Sequence, residues 1–213
     1  MTSAARPRVA VIDYGMGNRR SVEKALEHVG AEITISASPA ELRAADALVL
    51  PGVGAYPKGM AQLRERGLDA LVAERVAAGT PLLGICLGMQ LLFDDSTEMG
   101  SCEGLGLIPG SVRAIQAQGL RVPHIGWNEV GFARPSALTA GLPAAGAAFY
   151  HVHSYVAEPA DRADVIGVAE YGERFATMVA RDNVYGVQFH PEKSSRDGLA
   201  LLRAFTELAG RRG

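Results

Sequence analysis

The sequence has few cysteines, little net charge and no long hydrophobic run. Its two cysteines, Cys86 and Cys102, are too few for a disulfide framework, so we predict two free thiols and a reducing compartment, with a single disulfide between them as the alternative. With a formal net charge of −2, the chain lacks the overall basicity that points to binding of nucleic acids or anionic membranes. An apolar content of 48% excludes a disordered chain.

The longest apolar stretch, residues 81–93, is interrupted by Pro81, Gly84 and Gly88 and is too short to cross a bilayer. The first eight residues are polar and lack the apolar core of a secretory signal. We therefore predict a cytoplasmic protein in which residues 1–213 form one domain, with flexible ends at residues 1–7 and 210–213.

The first half of the chain alternates short apolar runs with helical periodicity. The runs predict four strands, at residues 8–12, 33–35, 47–50 and 81–85. The periodic segments predict helices at residues 19–29, 60–66, 68–78 and 87–93, and Ser38, Pro39 and Glu41 form a capping-box pattern for one more. The second half predicts strands at residues 112–115, 129–132, 148–152, 165–169, 177–179 and 184–189 and a closing helix at residues 195–209.

These patterns predict an α/β fold. Apolar strands connected by helices indicate a doubly wound, mostly parallel sheet with helices on both faces, to which the second half adds antiparallel strands. The arrangement is flavodoxin-like, and in such sheets the ligand site lies beyond the carboxyl ends of the strands. Reactive residues that directly follow a strand are therefore candidates for a functional site.

A cysteine between glycines stands at one of these strand ends. In Gly84-Ile85-Cys86-Leu87-Gly88 the glycines permit a tight strand-to-helix turn, which is the pattern of a nucleophile elbow with sulfur in place of oxygen. A helix N-terminus favours a thiolate and leaves the Leu87 N–H free to donate to an oxyanion. Cys86 is therefore a candidate nucleophile, and a small buried cysteine in a tight turn is the structural alternative.

A histidine follows the last predicted strand, at the same edge of the sheet. Pro191 forces His190 into an extended conformation, and residues two apart in an extended chain point to one side. Glu192 therefore reaches the ring nitrogen of His190 that does not face the sulfur, as the third member of a catalytic triad does. His190 and Glu192 are the candidate base and orienting carboxylate, and a surface His-Pro-Glu turn is the alternative.

A glycine-rich loop follows the third predicted strand. Pro51-Gly52-Val53-Gly54 lacks the GK[ST] ending of a phosphate-binding loop, and its glycines allow unusual peptide conformations. A backbone N–H at Val53 or Gly54 is a candidate second oxyanion donor. Rotation of the Gly52–Val53 peptide would switch that donor on or off, which is a regulatory hypothesis.

The motifs around Cys86 and His190 resemble the class I, or triad, glutamine amidotransferase family. Further strings resemble one branch of that family, which acts in histidine biosynthesis: IDYGMGN at 12–18, LPGVGA at 50–55, PHIGWN at 123–128, HSY at 153–155 and EKSS at 192–195. The resemblance extends over residues 9–208. Arg19 and His151 depart from it, because an aliphatic and an aromatic residue, respectively, are common there.

The resemblance implies that glutamine is the substrate. Cys86 attacks the side-chain amide, backbone N–H groups near Val53 and at Leu87 hold the oxyanion, and His190 protonates the leaving ammonia. It further implies glutamine contacts at Gly52, Gly54, Gln90, Ser154 and Tyr155.

The resemblance also implies a partner, a separate (β/α)8-barrel cyclase that consumes the ammonia as the second subunit of a heterodimer. Residues matching the partner-facing surface of the family are Met16, Asn18, Trp127, Tyr150 and Lys193. Core packing is the alternative for Trp127 and Tyr150, and a solvated side chain is the alternative for Lys193.

No cofactor or metal is predicted, because His124, His151 and His153 lack the spacing of a metal site and are interpreted as structural. Two other functions remain open from the sequence. One is the glutaminase subunit of a different biosynthetic complex, such as the pyridoxal phosphate or aminodeoxychorismate system. The other is a flavodoxin-like interaction module that has lost catalysis.

Overall fold

A computed structural model describes residues 6–210, so most of the predicted flexible ends, residues 1–7 and 210–213, lies outside the described residues. The helices are α1 Arg19–His28, α2 Pro39–Ala44, α3 Tyr56–Glu65, α4 Leu68–Ala77, α5 Leu87–Gln90 and α6 Ser195–Gly210. The strands of the first half are β1 Arg8–Ile12, β2 Glu32–Ser36, β3 Ala47–Gly52, β4 Leu82–Cys86, β5 Phe93–Ser96 and β6 Cys102–Glu103. Those of the second half are β7 Ile108–Ala114, β8 His124–Phe132, β9 Ala147–His153, β10 Tyr155–Pro159, β11 Val165–Tyr171, β12 Glu173–Arg181 and β13 Val184–Val187. Within residues 6–210, no helix has both the length and the apolar character needed to cross a membrane.

The centre of the sheet is parallel, in the order β2-β1-β3-β4-β13. The sheet continues through β12, β10 and β7, which pair antiparallel, and the β8–β9 hairpin joins through β11. The register aligns Gly52 of β3 with Cys86 of β4, and β13 lies directly beside β4. The predicted α/β architecture is confirmed, and it brings three predicted site segments to one edge.

Apolar cores lie on both faces of the sheet, so apolar and polar residues do not alternate along the central strands. In β1, Val9 and Val11 face the core under α1 and α6, whereas Ala10 and Ile12 face the core under α2, α3 and α4. All four are at most 1% exposed, because a parallel sheet is covered on both faces. This burial holds the strand ends, and the side chains that follow them, in fixed positions.

Two local predictions are wrong. The helix predicted at residues 87–93 ends after one turn at Gln90, and Phe93 begins β5. The carbonyls of Leu91, Leu92 and Phe93 instead accept N–H groups from residues 105–108, and this pairing buries the apolar run from both sides. The capping box ahead of α2 is absent because the Ser38 N–H is bonded to the Ser36 hydroxyl instead.

Strand β10 was not predicted from the sequence, because Glu158 and Pro159 near its end are unfavourable in strands. Pro159 is the last residue of the strand, opposite Gly110, and the N–H of the next residue, Ala160, donates to the Pro109 carbonyl at 2.9 Å.

Candidate active site

Cys86 lies in a strained turn between β4 and α5. Its φ of 55° and ψ of −112° place it in a region that side-chain-bearing residues rarely adopt. A methyl group on Gly88 would overlap the carbonyl oxygen of Leu50, and one on Gly84 would lie 2.6 Å from the carbonyl oxygen of Gly88. The two glycines are therefore required for α5 to pack against β3 and β4 closely enough to present Cys86 at the strand end.

His190 is held beside Cys86 by the neighbouring strand. Its ring Nδ1 lies 2.9 Å from a carboxylate oxygen of Glu192, and its backbone N–H donates to the carbonyl of Tyr150 at 2.9 Å. The Ser194 hydroxyl donates to the His190 carbonyl at 2.7 Å. The extended backbone stops at His190, because Pro191–Lys193 forms one 3-10 turn, and this turn brings Glu192 back to the ring.

Charge partners dominate the electrostatics of His190. Burial of the ring disfavours the imidazolium, but hydrogen bonds and charge interactions with Cys86 and Glu192 outweigh burial and raise the pKa of His190 to about 9. Since the Glu192 side chain is only 1% exposed, its interaction with the ring is little screened by solvent. The arrangement favours a protonated His190 beside the Cys86 sulfur.

A pocket of about 300 Å³ opens over Cys86 and His190, a size suited to a small ligand. Its walls include six more residues predicted from the sequence as oxyanion, substrate or interface residues: Val53, Leu87, Gln90, Ser154, Tyr155 and Lys193. Gly54 also lines it. Gly52 does not; it lies behind Val53, where a methyl group would overlap the Tyr14 hydroxyl.

Two residues of this site were not predicted from the sequence. Glu98 is the only carboxylate among the described residues that line the pocket, and it accepts the backbone N–H of Tyr56 at 2.8 Å. Gln188 is fully buried and donates to the Cys86 sulfur at 3.9 Å. Gln188 directly follows β13 and stands two residues before His190. Residues two apart in an extended chain point to one side, so this spacing is the sequence signal that could have identified Gln188.

The predicted interface residues fall into two groups. Trp127 is 55% exposed on β8, its ring centre lies 6.3 Å from that of Tyr150 on β9, and Lys193 is exposed at the pocket mouth. Met16 is buried against the Gly54 position, and Asn18 caps α1 by accepting the Ser21 N–H. The structure therefore gives Met16 and Asn18 local structural contacts, whereas Trp127 and Lys193 face outward.

His124, His151 and His153 form a buried cluster, called here the histidine stack, behind the pocket. His153 Nδ1 lies 3.0 Å from the Tyr155 carbonyl, and its Nε2 lies 2.9 Å from His124 Nδ1. Since a carbonyl only accepts, His153 donates from Nδ1, and its Nε2 accepts from His124. Both hydrogen bonds are compatible with neutral imidazole rings.

Burial sets the charge of the histidine stack. It lowers the pKa values of His151 and His153 to about 3 and also lowers the pKa of His124. His151 bonds at one nitrogen to the Phe149 carbonyl and at the other to the Thr177 hydroxyl. The stack therefore consists of neutral rings, and within residues 6–210 no cluster of three potential ligands has the geometry to hold a metal ion.

Comparisons with known proteins agree with this geometry. A family model described as glutamine amidotransferase class-I matches residues 10–208. The imidazole glycerol phosphate synthase subunit HisH of Moorella thermoacetica is 51% identical over 205 residues, which is 96% of this chain and 97% of that protein. The subunit of the same name from Herpetosiphon aurantiacus is 52% identical over 205 residues, with 96% of each chain covered.

Solved structures agree in fold. PurLQS from Thermotoga maritima superposes with a TM-score of 0.78 at 20% identity, covering 96% of this chain and 99% of that chain. A glutamine amidotransferase crystal structure gives a TM-score of 0.74 at 24% identity, covering 95% and 98%. Because the family model spans almost all of the described residues and the sequence relatives extend over nearly the whole chain, the protein belongs to the class-I glutamine amidotransferase family.

Proposed function

We propose that this chain is the glutaminase subunit of imidazole glycerol phosphate synthase and that it hydrolyses glutamine to glutamate and ammonia. The observation that carries the proposal is the chain of contacts from Cys86 through His190 to a buried Glu192 at the floor of a small pocket. The names of relatives that are about half identical over nearly their whole length support the assignment to this synthase.

In the proposed reaction, the Cys86 thiolate attacks the side-chain carbonyl of glutamine. The backbone N–H groups of Leu87 and Val53 hold the resulting oxyanion, and His190 donates its proton to the departing ammonia as the C–N bond breaks. His190 then removes a proton from water, which attacks the glutamyl thioester and releases glutamate. Glu192 keeps the ring oriented and supports its charged form in both steps.

The pocket walls supply groups for the two ends of an amino acid. Glu98 offers a carboxylate for the α-ammonium group of glutamine. Gln90, Ser154 and Tyr155 line the same wall, and their polar groups can orient the rest of the substrate. Gly54, with a φ of 103°, and Gly52 shape the loop that carries Val53.

Free ammonia is protonated at neutral pH and then is no longer a nucleophile, so a dedicated producer needs an acceptor enzyme close by. We place a cyclase subunit on the surface around Trp127, as the second chain of a heterodimer. Support comes from a run of exposed apolar side chains near the pocket mouth, at Leu120, Val122, Ile125 and Trp127. Exposed Lys193, on the pocket rim, extends this surface. A cytoplasmic location fits the free thiols of both cysteines.

Replacement of the nucleophile tests the function. In a complex with purified cyclase, Cys86→Ala is expected to reduce glutamine-dependent product formation below about one thousandth of the parent rate, while added ammonium salt still supports the cyclase. Cys102→Ala is the matched control, because this half-buried thiol lies outside the pocket, and it should retain the parent rate. Ammonia release from glutamine by purified Cys86→Ala would contradict the proposal.

A further inference from the structure

Gln188 is a fully buried amide at the base of the pocket that takes no part in the reaction described above. It follows β13, and its backbone N–H donates to the Thr177 carbonyl at 2.8 Å. Its side chain joins two functional groups, because Nε2 donates to the Cys86 sulfur at 3.9 Å and Oε1 accepts from Gln90 Nε2 at 3.0 Å. The amide thus connects the nucleophile to the pocket wall.

The orientation of this amide is fixed by its neighbours. Gln90 Nε2 can only donate, and it contacts both the Tyr155 carbonyl at 3.1 Å and Gln188 Oε1. Gln188 must therefore turn its oxygen toward Gln90 and its NH₂ group toward the sulfur. A donor aimed at sulfur stabilises the ionised form and limits the directions that the thiolate can take.

We propose that Gln188 is a positioning residue, whose amide N–H donates to the Cys86 sulfur and holds it in one place for attack. Gln90 acts through Gln188 by fixing the side on which the NH₂ group lies. The catalytic consequence rests on the proposed glutaminase function, whereas the hydrogen bond to sulfur exists in the protein without substrate.

The other titratable side chains around the Cys86 sulfur are not replaced in the test. Tyr14 and His190 interact electrostatically with Cys86, and His153 lines the same pocket. The sulfur also donates to the Val152 carbonyl at 3.7 Å. An exchange at residue 188 leaves all of these residues in place.

Gln188→Glu is the sharpest variant, because it keeps the side-chain shape and the acceptor for Gln90 but replaces the donor facing sulfur with a carboxylate oxygen. The measurement is the pH at which Cys86 reaches half its maximal rate of alkylation by iodoacetamide, followed by mass spectrometry of the peptide that contains Cys86. We expect this midpoint to rise by about one pH unit. In the glutaminase assay we expect kcat to fall about tenfold, while KM changes less than about threefold.

Gln118→Glu is the matched control, since Gln118 is exposed, and its midpoint and kcat should equal those of the parent. If Gln188→Glu fails to fold, Gln188→Met decides the question, because it removes the donor without adding charge, and its midpoint should also rise. An unchanged midpoint in a folded Gln188 variant would overturn the proposal. Alkylation needs no glutamine, so this result is separate from the outcome of the Cys86→Ala test.

Discussion

Two buried histidine environments, separated by little more than the pocket wall, have opposite electrostatics. His190 faces a thiol and a carboxylate, and its pKa is raised to about 9. His151 and His153 in the histidine stack face carbonyls, a hydroxyl and other imidazoles, and their pKa values are lowered to about 3. Burial alone therefore does not decide the charge of a histidine; the charge of the group it faces does.

The largest expected effect is acid destabilisation through the histidine stack. In the unfolded chain His151 and His153 bind protons near pH 6.5, but in the folded protein they do so only near pH 3. The stability that they contribute is complete above about pH 6.5 and falls as the pH drops toward 3, by about 1.4 kcal/mol per pH unit for each ring. Urea unfolding at about pH 7.5, 6 and 5 measures this slope.

His151→Phe is the matched comparison, because it removes one titrating ring and keeps an aromatic side chain. Its slope below about pH 6.5 should be smaller by the contribution of one proton. An equal slope in the parent and His151→Phe would refute the low pKa of that ring. His190 acts in the opposite direction: its contribution is complete below about pH 6.5 and is lost as the pH rises through about 9.

The next effect concerns the carboxylate that distinguishes His190 from the histidine stack. Glu192→Gln keeps a side chain of the same shape but removes the charge that helps raise the pKa of His190. We expect kcat to fall about 100-fold and the alkaline decline of the kcat profile to move to lower pH. Steady-state ammonia release between about pH 6 and 10 measures both.

The same exchange at Glu207, which is exposed on α6, serves as the control and should leave the profile unchanged. A Glu192→Gln profile that declines at the parent pH would show that the carboxylate does not set the charge of His190.

The smallest effect tests the hydrogen bonds that suit a neutral ring in the histidine stack. Thr177→Val removes the hydroxyl that lies 2.8 Å from His151 Nε2 and leaves a buried acceptor without that donor. We expect the free energy of unfolding to fall by about 1 to 2 kcal/mol at neutral pH. Thr177→Ser, which retains the hydroxyl, should recover most of the loss in urea unfolding, and equal stability of the two variants would exclude the contribution of this bond.

The sequence was sufficient to predict that Cys86 and His190 lie together, and the structure places both in the wall of one pocket. Cys86 and His190 each follow an apolar strand, and parallel strands deliver their carboxyl ends to one edge whatever their separation in the chain. The glycines around Cys86 also identified the turn. These predictions need only the sequence pattern of each strand and the rule that parallel strands end at one edge of the sheet.

The remaining parts of the site depend on contacts that no local rule contains. Glu98 enters the pocket because β5 replaces the predicted helix, and that change depends on pairing with residues 105–108. The orientation of the Gln188 amide depends on its hydrogen bond with Gln90, which is 98 residues away in the sequence. The neutral histidine stack depends on the β8–β9 register that sets His124 opposite His153.

The residues of the turn that contains Cys86 are constrained in two different ways, one by chemistry and the other by packing. The Cys86 side chain lines the pocket, so its exchange for another small side chain removes the thiol and leaves the pocket wall in place. Gly84 and Gly88 do not line the pocket, yet a single added methyl group at either meets backbone atoms that the surrounding layers hold rigidly. Substitutions in this turn therefore inactivate the protein in two ways. Replacement of Cys86 gives a folded but inactive protein, whereas replacement of Gly84 or Gly88 prevents correct folding.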